Sequence, residues 1–265
     1  MKSMKIVVLA LLFGLTFANA SWQDSLGGVL EGIKKPTLEK SSSDISTYDM
    51  NSALKQALSV GVNYAVKSLG KKNGYLNNPL TKIELPSSLA TASKLLKSAG
   101  GEKYIDDLVL SLNSAATEAA PQTAKIFADS ITNMSISDAK KILSSKEEAA
   151  TEYFKKTTTT QLRQMIMPIV KKSMSNNSVA TYYQAFQSFY KTNSGFIKDS
   201  EIGSLANSFG LGEYLPNQKD EDLDSYVTNR AIDGLMVMIA QKEKEIRANP
   251  MMQSSGLIQK VFSSF

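Results

Sequence analysis

The chain has 265 residues, with 30 Lys and Arg against 25 Asp and Glu, and it contains neither histidine nor cysteine. Their absence excludes a Ser-His-Asp or Cys-His nucleophile, zinc and haem sites built on those ligands, disulfides, and a lipid-anchoring cysteine. The net charge of +5 comes with interleaved signs, as in Lys242-Glu243-Lys244-Glu245, and no basic block appears, so nucleic acid is not an expected partner.

Residues 1–20 read as a cleavable signal peptide: Lys2 and Lys5 form a basic start, residues 6–15 an apolar core, and Ala18-Asn19-Ala20 a small-residue site cut before Ser21. Its removal leaves 28 basic side chains against 25 acidic ones, about +3. The core is too short to span a bilayer comfortably, and no later run reaches the roughly 18 apolar residues of a membrane helix. The mature protein is therefore expected to be soluble and, lacking disulfides, periplasmic.

Residues 21–46 read as a short helix weakened by Gly27, Gly28 and Gly32, followed by a linker at Pro36 and the polar run 41–44. An all-α domain is expected over 47–265. Residues 49–69 repeat apolar positions at helical spacing, and Gly70 ends the pattern. The stretch YLNNPLTKIELP at 75–86 is irregular, with a turn at Asn77-Asn78-Pro79 and a short extended piece at 82–85. Helices follow at 87–98, 103–119 and 121–133, the last with Pro121 near its start. Ser135-x-x-Asp138 and Ser145-x-x-Glu148 read as capping boxes ahead of helices at 139–143 and 149–156. A helix at 160–174 contains Pro168, where a kink or break is expected. Helices at 176–191 and 200–209, a loop at 211–219, a long helix at 222–247 and a short one at 257–262 complete the chain. The expected architecture is a single bundle-like domain of about nine or ten helices, in which 222–247 is central because 231–240 is apolar except at Asp233 and Gly234.

The stretches 75–86, MSISDAKKIL at 134–143, ATEYFKKTT at 150–158, MPIVK at 167–171 and 222–250 resemble, in order and spacing, the bacterial domain-of-unknown-function 4197 family. That resemblance implies an exported helical protein of unassigned role. It carries no catalytic residues over.

Asp220-x-Asp222-x-Asp224 invites a calcium reading, but the sixth and twelfth loop places hold Ser225 and Ala231, so these acids read as a helix cap and no metal is expected. Asp233, in the apolar run, needs an edge, a proton or a partner. The chain has only three arginines, and a guanidinium suits a buried carboxylate, so Asp233 is expected to pair with Arg230, one turn away, or with Arg163. Tyr182, Tyr183, Phe186, Phe189 and Tyr190 share a broad helix face that reads as core or as the wall of a ligand or partner surface. Scattered methionines such as Met165, Met236 and Met238 suit either use. Tyr75, Asn77 and Asn78 read as a connector that closes its own turns or as a recognition loop.

The resulting expectation is a binding or interaction protein of the envelope, without catalysis or cofactor, whose partner is an envelope protein or an apolar small molecule. A lipid carrier is the first alternative. An enzyme using carboxylates and lysine is the second.

Overall fold

The computed structural model describes residues 45–86, 93–94, 97–98, 100–145, 148–176 and 223–265. Among them every regular element is helical. No helix of the described residues is long and apolar enough to cross a membrane.

Helix α1 (Thr47–Gly70) starts where Ser46 Oγ accepts from Asp49 N at 3.0 Å. Its buried face, including Leu54, Leu58, Val62, Val66 and Leu69, follows the spacing visible in the sequence. Helix α2 (Glu102–Ala119) passes through a single 3₁₀ turn (Ala120–Thr123), with Pro121 at its start, into α3 (Ala124–Thr132). Helix α4 (Ile136–Ser144) is capped by Ser135, whose Oγ accepts from Asp138 N at 3.1 Å and donates to the Asp138 carboxylate at 2.6 Å.

Helix α5 (Ala149–Asn176) differs from expectation: it is one helix where the sequence suggested two, at 149–156 and 160–174, the second with a kink or break at Pro168. Residues 157–159, which the sequence left between the two, are helical as well, and Thr157, Thr158 and Thr159 each donate to the carbonyl four residues back, at 2.9, 2.7 and 2.6 Å, so their hydroxyls bond within the helix. Pro168 costs Gln164 its helical donor. Both residues are exposed, so water can satisfy that carbonyl and the helix continues.

Helix α6 (Leu223–Ala248), a 3₁₀ turn (Pro250–Met252) and α7 (Gly256–Phe262) complete the described fold. Helix α6 packs most extensively against α5 and α1, and also against α2. The core joins Val227, Leu235 and Ile239 of α6 with Leu54 and Val62 of α1, Leu112 of α2, and Phe154 and Leu162 of α5. Phe154 meets Phe127 of α3 edge to face, with ring centroids 5.2 Å apart.

The irregular segment after α1 is bound into this core. Asn113 of α2, itself buried, accepts from Ile83 N and donates to Ile83 O, both at 2.8 Å. Its side-chain amide stands in for a neighbouring strand, which is how an extended piece survives without a sheet.

A candidate groove and a buried charged clasp

Helix α6 is not apolar all round. Ala231, Ile232, Leu235, Met236, Met238 and Ile239 are buried, while Arg230, Asp233, Val237, Gln241 and Lys244 are exposed. Asp233 therefore reaches the surface, and the expected buried ion pair is corrected to an exposed one. Its carboxylate lies 3.7 Å from Arg230, with 63% and 54% of the two side chains exposed. Arg163 turns elsewhere and donates to Asn229 Oδ1 at 2.7 Å. A single step along the helix, about 100° of rotation, carries Asp233 away from its buried neighbours Ile232 and Gly234.

Among the described residues the buried charge on α6 is Glu243, and the half-buried Arg247 lies beside it. Glu243, 7% exposed, accepts from Ala150 N at 3.2 Å, from Thr151 N at 3.3 Å and from Thr151 Oγ1 at 3.2 Å. These amides are otherwise unpaired donors in the first turn of α5, so a carboxylate from another helix both caps α5 and complements its dipole. The expected capping box at Ser145-x-x-Glu148 does not form. Ser145 donates to Lys141 O and ends α4, and Glu148 turns the chain in the left-handed region at φ 72°. Arg247 donates from Nε and Nη2 to Glu243 Oε1 at 3.2 and 3.1 Å, and from Nη2 to Ile142 O at 2.8 Å. Its guanidinium carbon lies 5.8 Å from the centre of the Phe262 ring. The pair thus ties the last turn of α4 to the first turn of α5, with the charge that each helix end prefers. Sequence reasoning missed it, although the Glu243/Arg247 spacing of four residues was a usable signal. Lys55 of α1 does the same for α3, donating from Nζ to Thr132 O at 2.8 Å, and burial lowers its pKa.

Tyr75 is fully buried, and its hydroxyl donates to Ala231 O at 2.7 Å. Burial pushes its phenol well above the usual range, and the negative charge of Asp233 adds to the effect. Gly234 makes room for the ring: a Cβ there would stand 2.6 Å from Tyr75 Cε1. Asn78 Oδ1 accepts from Leu80 N at 3.0 Å, and its Nδ2 lies 3.2 Å from Met238 Sδ. Asn77 is exposed, and its N–H donates to Asn73 O. The segment is thus held by its own turns and by bonds to α2 and α6, with Tyr75 as a core side chain. Asp224 lies in the first turn of α6, 3.9 Å from Lys171. Asp220, Asp222, Tyr182, Tyr183, Phe186, Phe189 and Tyr190 lie outside the described residues.

Two concavities flank the clasp. Beneath it, a cavity of ≈ 10 Å³ is lined by Glu243, Arg247 and apolar side chains such as Leu54 and Phe262, which is room for about one water. Outside it, an open groove of ≈ 390 Å³ runs between the start of α5 and the exposed side of α6. Its floor is Met236, Val237 and Ala240, and its walls carry Glu148 and Asp233 against Lys155 and Lys244. A hydrogen bond from Lys155 to Glu152 raises the lysine's pKa, with Asp233 contributing a smaller push.

The model of a family described as a protein of unknown function (DUF4197) matches residues 44–263, and the chain belongs to that family. No curated protein and no solved structure matches it.

Proposed function

We propose that this family member is an exported protein of the periplasm that acts by binding a macromolecular partner, with the groove between α5 and α6 as its docking surface. Export rests on the basic start, apolar core and small-residue cleavage site of residues 1–20. The complete domain is expected to carry about nine or ten helices.

The observation that carries the binding role is the groove. It is open, with an apolar floor and walls of both signs. That mixture suits a protein surface, in which apolar contact supplies affinity and charge pairs set register. A lipid chain needs a deep, enclosed and mostly apolar pocket. The cavity beside Glu243 has room for about one water.

A photo-reactive amino acid placed at Val237 in cells tests this reading. We expect a discrete protein adduct that a probe at exposed Ile136, on α4, does not give. Native mass spectrometry of the protein from its own cells should show no stoichiometric small molecule. A bound apolar molecule would favour the carrier instead, and the absence of adducts at position 237 would rule the groove out.

A further inference from the structure

The exposed side of α6 carries a pattern that its buried side does not require. Asp233, Val237, Ala240 and Lys244 follow one another at spacings of four, three and four residues, the a/d repeat of a coiled-coil seam. All four line the groove. Asp233, Val237 and Lys244 are exposed and Ala240 is half-buried, so no neighbouring helix among the described residues fills this seam.

A seam of this kind pairs with itself when residues equidistant from its midpoint suit one another. In an antiparallel pair, each a position of one helix meets a d position of the other. The midpoint here falls between Met238 and Ile239 in sequence. About a two-fold axis at that point, Asp233 meets Lys244 of a second copy, Lys244 meets its Asp233, and Val237 meets its Ala240 on both sides. One register satisfies all four layers. A parallel pairing in register would instead set Asp233 against Asp233 and Lys244 against Lys244, which like-charge repulsion disfavours. The charged residues stand about 16 Å apart along the helix at 1.5 Å per residue, so the two ion pairs bracket the apolar layers. The Arg230–Asp233 contact competes only weakly, since both side chains are exposed.

We propose that the groove takes a second copy of this chain, the two α6 helices pairing antiparallel with Asp233–Lys244 at each end and Val237–Ala240 between. This rests on the groove being a docking surface and names its occupant. The interface is isologous, as two-fold dimers require. Its apolar centre is small, so the dimer is weak, reversible and sensitive to salt.

Sedimentation velocity of the full mature chain over a concentration series tests it. Wild type should show a reversible monomer–dimer equilibrium. Asp233→Lys and Lys244→Asp each place like charges at both ends and should weaken association about tenfold or more. An equimolar mixture of the two single variants restores both attractive pairs and should associate as wild type does, and so should the double variant. Val237→Glu should weaken association and Ile136→Glu should not. Circular dichroism confirms that each variant is folded, which these exposed positions permit. Three results would each overturn the proposal: a wild type that stays monomeric at every concentration, single variants that associate unchanged, or a mixture that fails to recover. Loss of in-cell adducts at position 237 would overturn the docking surface itself. A monomeric wild type with those adducts intact would overturn only the second copy as its occupant.

Discussion

Two acids ten residues apart on α6 meet opposite environments. Asp233 stands in water beside Arg230, and such pairs contribute little, so Asp233→Asn should leave the urea-unfolding free energy within about 0.5 kcal/mol of wild type. Glu243 is held by two amides, a hydroxyl and a guanidinium. Glu243→Ala strands Arg247 and two helix-start donors in the interior, and should cost about 3–5 kcal/mol by the same measurement. Glu243→Gln, which keeps an acceptor, should cost less. Equal losses from Glu243→Ala and Asp233→Asn would contradict the placement of both. Tyr75 adds a dependence on pH. Burial favours its neutral phenol, so the fold holds this proton more tightly than the unfolded chain does. The resulting stability is complete below the ordinary phenol value of 10.0 and is lost as pH rises above it. Tyr75→Phe should lose about 1 kcal/mol at neutral pH with its hydrogen bond to Ala231, yet its Tm should fall less steeply than that of wild type above about pH 10.

The helices themselves were legible because they repeat apolar residues at the helical period, and α1 follows its pattern nearly residue for residue. Their ends were less legible. Ser46 and Ser135 cap locally, and local caps can be read from sequence. The start of α5 and the last turns of α3 and α4 are closed by Glu243, Lys55 and Arg247, which are distant in sequence, so no window around those ends contains the signal. Gly234 is similar. In isolation it is a poor helix residue, and Ala should gain about 1 kcal/mol. The Tyr75 ring reverses that expectation, because an added Cβ would come within 2.6 Å of Cε1. Gly234→Ala should therefore destabilise by about 1–3 kcal/mol, measured by chemical denaturation. In a Tyr75→Ala background the same change should recover most of that loss, and a cycle with no coupling between the two positions would contradict the contact.

At the scale of the whole molecule, the helical period of the apolar residues indicated an all-α fold, because α6, α5, α1 and α2 need only apolar stripes to enclose one another. The groove was not legible. It exists because α6 leaves Asp233, Val237 and Lys244 exposed beside the start of α5, a fact about packing angles that no stretch of sequence states. The same arrangement makes the clasp a joint between remote parts of the chain. Glu243 and Arg247 hold the end of α4 and the start of α5 from a helix about 100 residues further on, so the corner between α4 and α5 depends on α6 for its order. Hydrogen exchange of Glu243→Ala under native conditions should show this. The amides of Ala150 and Thr151 lose their acceptor, and exchange there and through the last turn of α4 should accelerate more than anywhere else. The centres of α1 and α6, packed against each other through Val62, Leu235 and Ile239, should remain the slowest to exchange. If protection fell evenly across all helices, the clasp would be a contributor to global stability only, and the corner would have no separate opening of its own.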